Sequence, residues 1–380
     1  SLRASVSKGV TLMSHNTLSR RNFMTGIAVG GTAATLAGPA GAVAAEPVVT
    51  ATYPLATPAA SAGPIKLLCT HKVSAAEEQQ IRSAGKNVDF VVVGSRAELK
   101  AKIADAEAIF GPVDAESLAA AKKLKWVQHT AAGVEVLPKE LMEHSCVLTN
   151  MQRVYAPVIA ESALGMMLSL ARGLVQDAFP NFKARKWGTE SSVPLVDLYH
   201  KTIGLVGLGG IGTEIARRAH YGFEMKVLAV DPKPLPKPQF VAELREPAWL
   251  VDMASQVDFL VSCAPHTKET LKLFNESVFN RMKPTAYFIN VSRGGLVDQE
   301  ALVKALKEKK IAGAGLDVTT PEPLPAEHPL WDCPNLIITP HNSGMAPMRQ
   351  VRLIALVTEN VRRYSNGLAL LNVVDKARGY

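Results

Sequence analysis

The run Gly207-Leu208-Gly209-Gly210-Ile211-Gly212 places three glycines at G-x-G-x-x-G spacing. Such spacing carries chemistry when a strand precedes it and a helix follows. The first glycine permits a tight turn, the second lets backbone approach a pyrophosphate, and the third lets helix and strand pack closely. Here Thr202–Val206 reads as the strand and Ile211–His220 as the helix, whose N-terminus would face the phosphates. Asp231 ends the next apolar run, 19 residues after Gly212. A carboxylate there accepts hydrogen bonds from ribose hydroxyls and repels a 2′-phosphate, which favours NAD over NADP. Lys233 and Lys237 lie close by and weaken that preference. Arg293 stands just past another strand candidate, where ligands bind in open α/β sheets. The four cysteines, Cys69, Cys146, Cys263 and Cys333, form no C-x-x-C, and no histidine cluster has zinc spacing. No metal site is therefore expected.

The elements that must position these residues alternate along the chain. Ile65–Cys69, Val88–Val93, Ala108–Phe110, Trp126–His129 and Val147–Thr149 read as strands with helical segments between them. Ser74-Ala-Ala-Glu77 forms a capping box that opens the first helix. Val158–Leu174 is long, apolar and free of proline, so it reads as a buried helix joining two units. A second alternating series follows: Ile203–Val206, Lys226–Val230, Phe259–Ser262, Ala286–Asn290, Ala314–Val318 and Leu336–Ile338. One more helix is expected over about 347–364. Strand–helix alternation implies α/β architecture with parallel sheets covered on both faces. The expectation is two doubly wound parallel-sheet domains. Residues 65–155 plus 343–380 would form a flavodoxin-like substrate domain, and 156–342 a Rossmann NAD-binding domain.

Three further stretches, NVSRGGLVD (290–298), GLDVTTPEPLP (315–325) and ITPHNSGMAP (338–347), join the glycine run in order. With it they resemble the D-isomer-specific 2-hydroxyacid dehydrogenases, from about Ile65 to the C-terminus. EPLPAEHPLW…ITPHNSG looks most like the glyoxylate/hydroxypyruvate reductase branch. The resemblance implies reduction of a small 2-keto acid to its D-2-hydroxy acid by hydride from NADH. Arg293 would clamp the substrate, since its planar fork suits carboxylate and carbonyl oxygens and stays charged. Gly294-Gly295 would let the ligand approach it. His341 would be the acid/base, because imidazole titrates near working pH. Glu322 would stabilise its imidazolium form. Ala132 and Gly133, within Thr130-Ala-Ala-Gly-Val134, resemble a loop whose backbone N–H groups hold the substrate carboxylate.

By the same resemblance the cofactor would be lined by Gly207, Gly209, Gly210, Ile211, Gly212, Asp231, Ala264, Pro265, Thr270, Val291, Ser292, Asp317, His341, Ser343 and Gly344. Asp317 would bind the carboxamide. The chain also departs from the family pattern. Gly210 stands where many members carry Arg or Lys, so one side-chain contact to the pyrophosphate is missing. Glu135 replaces a frequent Asp, and Ser162 a frequent His. Two other readings share the fold: an NAD-binding sensor that reports to a partner with little turnover, and a formate- or phosphite-type dehydrogenase. Glu322 fits the hydroxyacid branch better than the formate branch, where Gln is usual.

The 380 residues carry a formal charge of +8 and 47% apolar residues. That composition excludes a mostly disordered chain, and a mean hydropathy of +0.09 excludes a multi-pass membrane protein. Residues 1–45 hold Arg3, Lys8, Arg20 and Arg21 and no acidic residue, so half of the net charge lies there. The balance of the chain gives no reason to expect a nucleic-acid partner. Ser19-Arg-Arg-Asn-Phe-Met24 resembles the twin-arginine export signal. A weakly apolar stretch, Gly26–Ala45, follows, and Ala42-Val-Ala44 supplies a small-x-small cleavage site. Five glycines and a proline make this stretch a poor membrane span. Met13 is a candidate start residue. Residues 46–64, rich in Pro, Ala, Ser and Thr, read as a linker. The expectation is therefore periplasmic or secreted, through the export machinery, and cytoplasmic if the leader is not used. A homodimer is expected from the family alone.

Overall fold

In the computed structural model, residues 63–380 apart from Thr189 are described. The expected leader, and the linker up to residue 62, lie outside them. Five strands, β1 (Ile65–Cys69), β2 (Val88–Val92), β3 (Ala108–Phe110), β4 (Trp126–Gln128) and β5 (Val147–Thr149), form one parallel sheet in the order β2-β1-β3-β4-β5. That is the flavodoxin-like order. Seven more strands form a second parallel sheet: β6 (Thr202–Val206), β7 (Lys226–Val230), β8 (Glu243–Arg245), β9 (Phe259–Ser262), β10 (Tyr287–Asn290), β11 (Gly313–Leu316) and β12 (Leu336–Ile338). Its order, β12-β11-β10-β9-β6-β7-β8, reverses direction at β6. The glycine turn follows β6, so it lies at the switch point where doubly wound sheets bind ligands.

The central strands β3, β4, β9, β10 and β11 are buried at every position. Continuous apolar runs of this kind belong to parallel sheets covered on both faces. Ser74 caps the first helix (Ala75–Arg82) and receives the Glu77 N–H, while Glu77 accepts from the Ser74 N–H at 2.7 Å, as a capping box requires. The connecting helix spans Ala156–Ala171 and packs on β10, β11 and the dinucleotide helix Gly210–Phe223. It ends before the expected Leu174 because Gly173 takes φ +62, the left-handed conformation that closes helices; one π-helical turn, Leu174–Ala178, follows. Met166 fills the space left open at Gly315 on β11, and it and Met167 are both buried in the core.

The C-terminal helix Met348–Ser365 returns to the first sheet. Leu353, Val357 and Tyr364 share its core with Ile65, Phe90 and Trp126. Buried Asn360 donates to the Gln128 side chain at 2.8 Å and receives the Leu371 N–H at 2.8 Å. The one strand absent from the sequence reading is β8. It is three residues long, lies at the sheet edge and carries two charges, so no apolar run betrays it. Among the described residues no single helix is long and apolar enough to cross a membrane.

Candidate active site

The glycine turn has the geometry its spacing implies. Gly207 takes φ +95, and a Cβ there would press on the backbone of Cys263 and Ala264. A Cβ on Gly212 would fall closer than 3.0 Å to the Gly207 carbonyl oxygen, so helix and turn touch only because Gly212 has no side chain. Exposed Gly209 has no atom within 4 Å of a built Cβ, which leaves backbone open at the helix N-terminus. Asp231, at the end of β7, accepts from the Leu208 N–H at 2.8 Å and the Lys233 N–H at 2.9 Å. Its carboxylate thereby joins the glycine turn to the β7 end. These residues fit a dinucleotide: an open backbone cradle, a helix dipole and a carboxylate beside it.

Arg293 leaves the end of β10 and is held on both sides. Asn290, fully buried, donates to the Arg293 carbonyl at 2.9 Å and accepts from the Ser292 N–H at 3.1 Å. The Ser292 hydroxyl also bonds Asn290 at 2.9 Å and meets Ser262 at 2.7 Å, and the Val291 N–H reaches the Ser262 carbonyl. Arg293 Nε donates to Glu135 Oε1 at 2.5 Å, and Nη1 donates to the Ser292 carbonyl at 2.7 Å. Nη2 makes no hydrogen bond among the described residues and lies against Gly133, where a Cβ would collide with it. Glu135 thus ties a loop of the first sheet to a loop of the second. Burial pushes its carboxyl up, but the Arg293 hydrogen bond and charge outweigh that and hold it below its ordinary value.

The loop at Gly133 is pinned by its carbonyls. Thr130 accepts from the Tyr155 hydroxyl at 2.6 Å, Ala131 from the Met151 N–H at 2.9 Å, and Ala132 from the Asn150 side chain at 2.6 Å. The N–H groups of Ala131, Ala132 and Gly133 donate to nothing among the described residues. At the start of this loop, burial holds the His129 imidazole below its ordinary value and so favours the neutral ring.

His341 and Glu322 meet as the resemblance implies, with His341 Nδ1 2.8 Å from Glu322 Oε2. The other Glu322 oxygen accepts from the Thr319 N–H at 3.0 Å. His341 takes φ +50 and its N–H donates to the Asp317 carbonyl at 2.8 Å. Asp317, 1% exposed, is turned into the same loop. It accepts from the Thr339 hydroxyl at 2.6 Å, from the N–H groups of Asn342 (3.0 Å) and Ser343 (3.2 Å), and from the Ser343 hydroxyl. Both carboxylate oxygens are engaged in holding the loop, a task the carboxamide expectation did not include.

Other expectations shift in the same direction. At Gly294 and Gly295 the space of the missing side chains is taken up by protein neighbours. A Cβ on Gly294 would collide with the Thr319 backbone, and one on Gly295 with the His266 ring. Gly294 lets the Arg293 loop abut the loop bearing Glu322, and Gly295 faces the His266 ring. Thr270 donates to the Pro265 carbonyl at 2.7 Å and receives the Thr267 N–H at 2.8 Å, closing its own turn. Ala264 is buried, Ile211 half-buried, and a Cβ on Gly344 would make only ordinary contact with Tyr155 and Ile159. Ser162 donates to the Ser343 carbonyl at 3.4 Å. Burial pushes the Cys263 thiol up, so it stays protonated. No metal-ligating cluster exists among the described residues. Sequence reasoning missed Asn290, Thr339 and the Glu135 pairing, although Asn290 opens the NVSRGG stretch.

Comparison with known proteins gives the family. Residues 164–343 match the D-isomer specific 2-hydroxyacid dehydrogenase, NAD binding domain. A glyoxylate reductase of Korarchaeum cryptofilum is 36% identical over 270 residues, covering 70% of this chain and 80% of the relative. The chain belongs to the D-isomer-specific 2-hydroxyacid dehydrogenase family. A family member from Aeromonas salmonicida superposes with a TM-score of 0.71 at 32% identity, covering 83% of this chain and all of that one. An NADPH-dependent glyoxylate/hydroxypyruvate reductase from Sinorhizobium meliloti, solved with citrate, gives 0.66 at 28% identity over 82% of this dehydrogenase and 98% of its own chain.

The Asp317 network makes a stability prediction. Asp317→Asn keeps the shape but removes the charge and an acceptor oxygen from a buried cluster. It should cost about 2–4 kcal/mol in urea unfolding, and a change under about 0.5 kcal/mol would show the loop is held by other contacts.

Proposed function

We propose that this dehydrogenase reduces a small 2-keto acid, such as glyoxylate or hydroxypyruvate, to its D-2-hydroxy acid with NADH. The observation that carries this reading is the Arg293 Nη2 group against the 131–133 loop, a cation beside backbone N–H groups that have no partner among the described residues. That pairing suits a carboxylate one or two bonds from the reacting carbon. Arg293 and the Ala132–Gly133 backbone then clamp the substrate, and the guanidinium polarises its carbonyl. The bound dinucleotide supplies the hydride. With Nδ1 held by Glu322, His341 Nε2 is the nitrogen left to deliver a proton to the developing alkoxide, and the carboxylate stabilises the imidazolium that carries it. Gly207, Gly209, Gly212 and Asp231 hold the cofactor, and Ala264, Val291, Ser292 and Ser343 line it.

In this reading the 65–155 and 343–380 segments form the substrate domain, and 156–342 the nucleotide domain. Asp231 favours NAD(H), because its carboxylate repels a 2′-phosphate. The NADPH dependence of the Sinorhizobium meliloti relative supports the competing preference. A homodimer belongs to the same reading. Phe182 and Trp187, 81% and 92% exposed, supply an apolar face for it. The leader motif in residues 1–45 supports export of the folded, cofactor-loaded chain.

Three measurements test these statements. NADH oxidation with glyoxylate, hydroxypyruvate and pyruvate should show turnover, faster than with NADPH; tight dinucleotide binding without turnover on any keto acid would favour the sensor reading. Glu322→Gln should lower kcat at neutral pH about ten- to a hundredfold and alter the pH–rate profile. An unchanged profile removes the Glu322–His341 pairing from the mechanism. Cell fractionation with N-terminal sequencing should find a periplasmic or secreted product cut near Ala44, whereas an uncut cytoplasmic chain would refute export.

A further inference from the structure

The turn between β5 and the connecting helix carries an arginine in an uncommon conformation. Arg153 has φ +69, a region that long side chains seldom occupy unless their surroundings hold them there. Those surroundings include the dinucleotide helix. The Arg153 Cγ, Cα and N lie 2.8, 3.1 and 3.3 Å from where a Cβ on Gly210 would stand. Gly210 is the first residue of that helix, and its missing side chain is what admits the Arg153 stem. Beside it, the backbone at Gly209 is open. The half-buried Arg153 makes no side-chain hydrogen bond or ion pair among the described residues.

We propose that Arg153 is the cation that grips the cofactor pyrophosphate, reaching over Gly210 from the loop that joins the two sheets. The proposal rests on the reading of this chain as a dinucleotide-binding enzyme. A pyrophosphate brings two negative charges, while a helix N-terminus offers about half a positive one. In the turn itself Gly207 and Leu208 donate to Val230 and Asp231, so Gly209 and Gly210 offer backbone N–H groups and no side-chain charge. A guanidinium matches paired phosphate oxygens, and the Arg153 stem already lies on the first turn of the helix. An arginine growing from position 210 would need the space that this stem occupies. The two arrangements therefore exclude each other, and this chain uses the one in which the cation comes from the connecting loop. Cofactor binding then draws the 151–155 turn and the helix N-terminus onto the same anion. That couples occupancy of the nucleotide site to the loop adjoining the substrate-binding backbone, since Met151 and Tyr155 pin Ala131 and Thr130.

The test is equilibrium binding to the purified chain, followed by NADH fluorescence and by calorimetry with ADP-ribose and adenosine. Arg153→Gly relieves the positive φ, so the variant should fold at least as well. It should weaken NADH and ADP-ribose about ten- to a hundredfold, flatten their salt dependence, and leave adenosine unchanged. Arg153→Gly combined with Gly210→Arg should bring ADP-ribose back to within a few-fold of the parent. Unchanged ADP-ribose affinity in Arg153→Gly would overturn the proposal while leaving the cofactor reading intact. Failure of the parent chain to bind NADH or NADPH would overturn both.

Discussion

The buried carboxylate of Asp317 anchors the chemistry of this molecule. A charge 1% exposed is unfavourable in a protein interior unless hydrogen bonds surround it. Asp317 meets that demand with the Thr339 hydroxyl, two backbone N–H groups and the Ser343 hydroxyl, all from the segment that contains His341. The segment after β12 cannot move away without stripping those partners. His341 is thereby held at φ +50, with its ring on Glu322.

A second constraint joins this loop to Arg293. The Arg293 loop and the Thr319–Glu322 loop approach so closely that only glycine fits at 294. Asn290 then holds Arg293 by its backbone on one side and Ser292 on the other. Arg293 and the Glu322–His341 pair thus follow neighbouring strands β10, β11 and β12, whose parallel register delivers their C-terminal ends to one edge of the sheet. Fixed placement of this kind supports catalysis because little reorganisation is left for the reacting state.

The contacts between the two sheets' loops are of another type. Glu135 on Arg293 and Arg153 on Gly210 are polar or single-residue contacts, not broad apolar packing. Such contacts exchange partners more readily than a hydrophobic core. Glu135, held below its ordinary pKa by Arg293, stays ionised and keeps that guanidinium oriented.

The sequence by itself determined the two sheets, the glycine turn and the candidate positions Arg293, Glu322 and His341, of which the last two meet in the fold. These are legible because buried parallel strands are unbroken apolar runs, and because a G-x-G-x-x-G turn needs glycine at fixed positions whatever surrounds it. Strand β8 was not legible, since an edge strand of three residues with two charges has no such run. Only the tertiary structure decided what each polar group does once the strands are assembled. It turned Asp317 inward, closed Thr270 on its own turn, filled the space beside Gly294 and Gly295 with protein, and brought Glu135 and Arg153 across from the other sheet. The physical reason is distance along the chain. Glu135 meets a partner 158 residues away, and no local propensity or spacing records a contact that only sheet packing creates.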